Sequence, residues 1–231
     1  MTDFAGRHVV VTGGSGALGA EVVRQLIARG AHVHVPVYVP RELDGFPFRD
    51  HAQVSVRLGL DFTVEETVAK YYAELPSCWA SIHVAGGFRA AAFTETRLED
   101  FLFLMNVNAV TCFLTSREAV RRMRAGGGGR IVNVAARPAL VPTAGMVAYA
   151  ASKAVVASMT ASLAAEVAGD GILVNAIAPS IIDTEGNRRA MPKADPKAWP
   201  KPSELAGVIL QLASPQNAIA SGAVVPVYGR A

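Results

Sequence analysis

Tyr149 and Lys153 stand four residues apart in Tyr149-Ala150-Ala151-Ser152-Lys153, inside a run of small residues from Ala148 to Ala168. That run predicts a helix, on which side chains four apart share a face, so a phenol and an ammonium would point into one site. A phenol titrates near pH ~10 and is a poor acid or base at neutrality; a fixed cation beside it favours the phenolate and draws its pKa toward the working range. The chemistry of such a pair is proton transfer, with Tyr149 as donor and Lys153 as the group that tunes it. A packed tyrosine next to a solvated lysine satisfies the same spacing, so the surrounding chain has to decide.

The first supporting element is at the other end of the sequence. Arg7 to Thr12, with Val9-Val10-Val11 at its centre, reads as a strand buried on both faces. Thr12-Gly13-Gly14-Ser15-Gly16-Ala17-Leu18-Gly19 then enters a helix running to about Arg29, stopped by Gly30. Gly14-x-Gly16-x-x-Gly19 fits the dinucleotide fingerprint: glycines let the backbone come close to a pyrophosphate, and the free N–H groups at the helix start attract its charge. The implied cofactor is NAD or NADP. An acid ending the second strand, about Ala31 to Val37, would hold the 2′-hydroxyl of NAD, but Val37 and Tyr38 stand there, with Arg41, Glu42 and Asp44 beyond. The missing acid leans toward NADP, with Arg41 as the phosphate contact.

Strands and helices go on alternating. Gln53 to Leu58 reads as a strand leading to Asp61-Phe62 and a helix over 63–74; Trp79 to Val84 is a strand ending at Ala85-Gly86-Gly87. A long helix over 97–123 carries Asn108, and Arg130 to Ala135 is the strand before the Tyr149 helix. Gly171 to Ala178, Ser203 to Ala213 and Ala223 to Val227 follow as strand, helix and strand. The pattern predicts an α/β class, single-domain Rossmann-type doubly wound parallel sheet with helices on both faces over 1–231, with ligands across the carboxyl ends of the strands.

Composition excludes several other classes. Cys78 and Cys112 are the only cysteines and both lie in apolar surroundings, so neither a disulfide framework nor a metal site is expected, and a reducing cytoplasm is the default. Met1-Thr2-Asp3-Phe4 lacks a basic region followed by an apolar run, and no stretch is expected to reach the ~18 apolar residues of a membrane span. Phe101 to Leu114 comes nearest and is broken by Asn106 and Asn108. The net charge of +3 raises the question of nucleic acid, but the one basic cluster, Arg117, Arg121, Arg122 and Arg124, sits at a helix end where the dipole favours cations, without a binding motif. The partner expected is a small-molecule substrate.

Along nearly its whole length the chain resembles the short-chain dehydrogenases/reductases. The residues that carry the resemblance are Thr12-Gly13 to Gly19, Asp61, Ala85-Gly86, Asn108, Tyr149-x-x-x-Lys153 and Pro179-Ser180-Ile181-Ile182-Asp183-Thr184. The resemblance implies that Asp61, with Phe62 next to it, contacts the adenine, that Asn108 maintains a backbone kink and a water leading to Lys153, and that Lys153 holds the nicotinamide ribose. It further implies that Tyr149 is the proton donor, that Thr184 lies near the nicotinamide amide or pyrophosphate, and that Gly87, Pro179 and Ile181 belong to the cofactor site. A homodimer or homotetramer is implied as well, with Ala150, Ala154, Ala157 and Ala161 allowing close packing of a second subunit.

The chain departs from the family pattern at Ala17, His83 and Ser180, and most of all at Ala136, where the family usually places a serine that hydrogen-bonds the substrate carbonyl. Losing one preorganised oxyanion donor typically costs about a hundred- to a thousandfold in rate. Thr143 could substitute, the substrate could need no such donor, or the chain could be a cofactor-binding sensor without catalysis. Dihydropteridine reductases keep the tyrosine and lysine without the serine, and the chain is similar to them at Gly13 to Gly19, Val84-Ala85-Gly86-Gly87, Gly145-Met146 and Asn187-Arg188-Arg189-Ala190-Met191-Pro192, with Trp199 following. That resemblance implies a flat quinonoid acceptor. The segment at about 185–201, long, irregular and rich in Pro, Lys and Arg, is expected to cover the substrate with Met191 and Trp199. A general carbonyl or alcohol substrate is the alternative.

Overall fold

The computed structural model describes residues 3–230. Seven parallel strands, β1 (His8–Thr12), β2 (His32–Pro36), β3 (Val54–Arg57), β4 (Ala80–His83), β5 (Gly129–Val134), β6 (Ile172–Pro179) and β7 (Val224–Val227), form one sheet in the order β3-β2-β1-β4-β5-β6-β7. The order reverses between β1 and β4, where Val11 pairs with Ile82 and Thr12 with His83, and this switch point opens the crevice in which such sheets bind ligands.

Side-chain alternation splits the valines of β1 between two cores. Val9 and Val11 pack with Val22, Val23 and Leu26 of α1 (Ala17–Ala28) and Leu205 and Ile209 of α7 (Pro202–Ala213). Val10 faces the opposite layer, with Tyr71 and Tyr72 of α2 (Glu65–Ala73). Leu114 and Met123 of α4 (Thr111–Ala125) and Ala164 of α5 (Val147–Glu166) join that layer. Continuous burial on both faces is what a Val-Val-Val strand is suited to.

Every expected strand is present with bounds within two residues of those predicted. The helix expected over 97–123 is interrupted: α3 (Leu98–Leu104) passes into a π-helical stretch, Met105–Val110, before α4 begins. The hydroxyls of Thr111 and Thr115 donate back to Val107 O and Thr111 O at 2.7 and 2.6 Å, which loosens the ladder around the bulge. The stretch 185–201, expected to be irregular, contains α6 (Glu185–Ala190), capped by the Thr184 hydroxyl, and one 3-10 turn at Pro196–Ala198. Its far end is fixed: Arg230 N–H donates to Ala198 O at 2.9 Å, and Asp183 N–H to Pro200 O at 2.9 Å.

The structure corrects one expectation from composition and extends another. Leu98–Ala125 and Val147–Glu166 are each long and apolar enough to cross a membrane by length and composition, the first through its Leu, Phe and Val side chains despite the asparagines, the second through its alanines and valines. Here both pack against the sheet and carry Asn108 and Lys153 into a buried site. The arginine cluster is consumed internally rather than merely favoured by a dipole. Arg117 pairs with Glu65 and Glu118, Arg121 with Glu118, Arg124 with Asp170, and Arg122 donates to Leu75 O and Pro76 O. Cys78 and Cys112 are buried and free, and no cluster able to hold a metal occurs among the described residues.

Candidate active site

At the switch point the turn after β1 is packed so closely that only glycine fits. A Cβ on Gly13, whose φ is +64°, would lie 2.7 Å from Ala85 N; one on Gly19 would lie 1.9 Å from Gly13 O. Helix α1 then starts at Gly16 with no side-chain cap and no acid in its first turn, leaving the N–H groups of Ala17, Leu18 and Gly19 without a side-chain acceptor. Ser15 is half-buried beside them. This is the arrangement an anionic pyrophosphate fills. The residues present therefore fit a dinucleotide.

β4 delivers Ala85-Gly86-Gly87 to the same crevice, where Ala85 N–H donates to the Thr12 hydroxyl at 3.3 Å. The π-bulge turns Asn108 inward against this strand end. Gly87 N–H donates to Asn108 Oδ1 at 2.9 Å, and Asn108 Nδ2 donates to Gly87 O at 3.0 Å and to Ser152 Oγ at 3.0 Å. Ser152 passes the connection on by donating to Tyr149 O at 2.8 Å. A Cβ on Gly86 would stand 2.6 Å from Asn108 Oδ1 and 3.2 Å from Lys153 Nζ, so a side chain there would displace the Asn108 amide and crowd the ammonium.

Lys153 is 5% exposed and its ammonium donates to Val134 O, at the end of β5, at 2.8 Å. Loss of hydration lowers its pKa to about 8. Tyr149 is half-buried, with Phe88 edge-on to its ring at 4.9 Å, and burial pushes its phenol up to about 12. The lowered phenol expected from the Tyr149–Lys153 spacing is thus not what the geometry produces. The lysine is drawn back onto β5, and desolvation dominates at the tyrosine. Tyr149 is held in its protonated form, the form a donor needs. Beneath Lys153 a cavity of about 10 Å3 touches Thr12, His83, Asn108 and Cys112, the room of roughly one water.

The remaining predicted residues divide. Ala136 is buried (5% exposed) just past β5, whereas Thr143 is exposed and its hydroxyl donates to Val141 O at 3.1 Å. Asp61 accepts from the N–H and hydroxyl of Thr63 at 2.9 and 2.7 Å, and Phe62 packs into the α2 core against Tyr71. Pro179 ends β6, Ile181 is exposed after it, and the Thr184 hydroxyl accepts from Asn187 N–H at 3.2 Å. Met191 is half-buried, while Trp199 is buried as part of the anchored end of its segment. Phe88 and Ser152 escaped sequence reasoning. A serine facing inward on an apolar helix, one residue before Lys153, was the available signal for the second; nothing in the sequence singled out Phe88.

A switch point with a glycine cradle, beside a buried lysine and a protonated tyrosine, defines a dinucleotide-dependent oxidoreductase. The comparisons place it: the family model for short chain dehydrogenase matches residues 7–195, and the chain belongs to that family of NAD(P)-dependent oxidoreductases. It is 29% identical over 239 residues to a 3-oxoacyl-(acyl-carrier-protein) reductase of Rickettsia bellii, covering 99% of this chain and 98% of the relative. It is 31% identical over 242 residues to a galactitol 2-dehydrogenase (L-tagatose-forming) of Cereibacter sphaeroides, covering 97% and 94%. Among solved structures, ElxO with NADP bound superposes with a TM-score of 0.89 over 97% of this chain and 98% of that one, at 24% identity, a likeness of fold.

Proposed function

We propose that this oxidoreductase reduces a flat, conjugated acceptor of quinonoid or pterin-like type. The observation that carries the reading is the absence of a hydroxyl where a carbonyl oxyanion would need one. Ala136 offers none, Thr143 is exposed and engaged with Val141 O, and the Ser152 hydroxyl is committed to Tyr149 O and Asn108. When bound, the nicotinamide cofactor supplies a hydride. Tyr149 delivers the proton to a ring heteroatom of the acceptor, so that charge is neutralised as it develops without a separate oxyanion donor. Lys153 stabilises the phenolate left behind and holds the ribose; Asn108 keeps the π-bulge and Gly87 in register.

Gly13, Ser15, Gly16, Ala17, Leu18 and Gly19 take the pyrophosphate, Asp61 and Phe62 lie toward the adenine, and Ala85, Gly86, Gly87, Pro179, Ile181 and Thr184 line the nicotinamide side. NADP is the preferred form, supported by Val37 and Tyr38 in place of an acid after β2 and by an exposed Arg41 close by. The segment 185–201 covers the acceptor through Met191; Trp199 anchors it. A homodimer or homotetramer is supported by the exposed Phe101, Leu102 and Phe113 alongside Ala150, Ala154, Ala157 and Ala161 of α5. A monomer by light scattering at working concentration would overturn that assignment.

A carbonyl or alcohol substrate is the second reading, supported by the names of the relatives above. NADH and NADPH oxidation with freshly generated quinonoid dihydropterin, set against a panel of simple ketones, separates the two. We expect turnover of the dihydropterin, faster with NADPH, that collapses in Tyr149→Phe and is unchanged in Thr143→Val. Ketone turnover that Thr143→Val impairs would instead establish the carbonyl reading.

A further inference from the structure

A cleft of about 290 Å3 opens beside the tyrosine, between the loop following Phe88 and the loop leading into α5, which Ala91 N–H ties together by donating to Gly145 O at 3.1 Å. Its walls include Thr96, Leu104 and Met146, and its charged end is Arg89 with Asp100. The chain positions flank Tyr149: Arg89 follows Phe88, whose ring touches Tyr149, and the opposite wall ends at Ala148, next to Tyr149. The volume suits a small molecule or one end of a larger one.

The Arg89 side chain is 45% exposed, yet its contacts hold it in place. Its guanidinium lies over the Phe103 ring at 3.9 Å, and Phe103 in turn abuts Gly87, where a Cβ would come within 3.1 Å of it. One guanidinium nitrogen, Nη1, donates to Asp100; Nε and Nη2 have no partner among the described residues. Asp100 does not depend on Arg89, because Arg97 donates to both of its oxygens, at 2.9 and 3.3 Å. An incoming carboxylate can therefore take the free donors of Arg89, or displace Asp100 from it, without stranding an unpaired acid. A planar, stacked guanidinium is suited to bidentate carboxylate recognition.

We infer that the Arg89 cleft receives a carboxylate on the substrate, so that the acceptor is an organic acid whose reacting atom lies under Tyr149 and whose anionic end lies at Arg89. The reactive end rests on the reading of Tyr149 as donor; the anionic end does not. The test uses a flat carbonyl acid, 4-formylbenzoate, and its methyl ester. Binding is measured by calorimetry on protein saturated with oxidised cofactor, and turnover by oxidation of the reduced cofactor. The native protein is expected to bind the acid at least tenfold tighter than the ester, and Arg89→Met to erase the preference. Asp100→Asn, which removes the internal competitor, is expected to tighten the acid severalfold and leave the ester unchanged, an effect opposite in sign to loss of a merely structural ion pair. Equal binding of acid and ester, a preference that survives Arg89→Met, or equal weakening of both in Asp100→Asn would each overturn the inference. Acid preference without turnover of either compound would leave the cleft established and agree with a site that lacks an oxyanion donor; aldehyde turnover of the ester without acid preference would overturn the cleft and favour the carbonyl reading.

Discussion

Two buried polar clusters meet at the small cavity lined by both His83 and Lys153, and they are finished to different degrees. In the first, Thr160 Oγ1 donates to Val156 O and so must accept from Asn133 Nδ2, which turns Asn133 Oδ1 toward His83 Nδ1. His83 Nδ1 therefore carries the hydrogen, Nε2 accepts from the Ser81 hydroxyl, and Ser81 accepts from Tyr72. Every polar group in this cluster is satisfied, with Ser116 Oγ a second, longer contact of His83 Nδ1 at 3.4 Å. In the second cluster, Lys153 carries three donors and meets one acceptor, Val134 O, and the Tyr149 hydroxyl has no partner among the described residues. Burial alone does not mark a functional site, since both clusters are buried; the site is the one whose hydrogen bonds are left open.

Removing the open cluster's cation should separate function from stability most sharply. Lys153→Met is expected to lower turnover by at least about a hundredfold, the scale for a preorganised charge at the reacting atoms. Its stability should not fall with it. Folding lowers the Lys153 pKa from 10.5 to about 8, so keeping the ammonium charged in the core at neutral pH opposes folding by on the order of 3 kcal/mol. Leaving Val134 O unpaired takes back about 1–3 kcal/mol. A thermal midpoint at pH 7 that is level or raised, in an inactive protein, is the expected result, and a drop of many degrees would break the comparison.

The closed cluster should behave in the reverse manner. His83→Leu strands the Ser81 hydroxyl and Asn133 Oδ1 at about 1–3 kcal/mol apiece, a combined loss on the order of 3–5 kcal/mol measurable by denaturant unfolding. Turnover per folded molecule should stay within about tenfold of native, because no atom of His83 takes part in the hydrogen bonds of Tyr149 or Lys153. A purely catalytic defect at unchanged stability would contradict the division between the clusters.

How much of this could be read beforehand follows from where the information sits. The Tyr149–Lys153 spacing, the glycine turn at Gly13 to Gly19 and the alternation of strands and helices are local patterns, and each lies where the sequence places it. The π-bulge at Met105–Val110 was legible only through the resemblance, which implied a backbone kink at Asn108; the local pattern read as one continuous helix, because the bulge depends on Asn108 meeting Gly87 from a different element. The phenol's elevated pKa was missed for the same kind of reason. Spacing predicted the cation beside Tyr149, but Phe88 covering the ring and Val134 O drawing off the ammonium are tertiary contacts. Thr143 looked available because its loop precedes Tyr149, yet the turn exposes it. Trp199 read as part of a lid, and its burial comes from the anchoring of Ala198 to Arg230, near the chain's end.

The smallest of the expected effects is also the one in which the two clusters should titrate in different windows. His83 is pushed down to about 4 by burial, and His34, hydrogen-bonded to His8 at 2.8 Å, is lowered to about 4 by burial and by the neighbouring His8 and His32. Unfolding restores both to about 6.5, so between pH 6.5 and 4 the unfolded chain binds more protons and stability falls as pH falls, by up to ~1.4 kcal/mol per pH unit for each histidine. The open cluster responds on the alkaline side. As pH rises through about 8, Lys153 loses its proton, the phenolate left by Tyr149 loses its counter-charge, and kcat/KM for reduction should decline. In that same window the opposition of the buried ammonium to folding is relieved, so the contribution of Lys153 to stability rises from pH 8 toward 10.5 while activity falls. Parallel measurement of kcat/KM and denaturant midpoint across pH 4 to 10 reads both arms. An alkaline loss of activity that tracks a loss of stability would mean that unfolding, not deprotonation of Lys153, sets the limit.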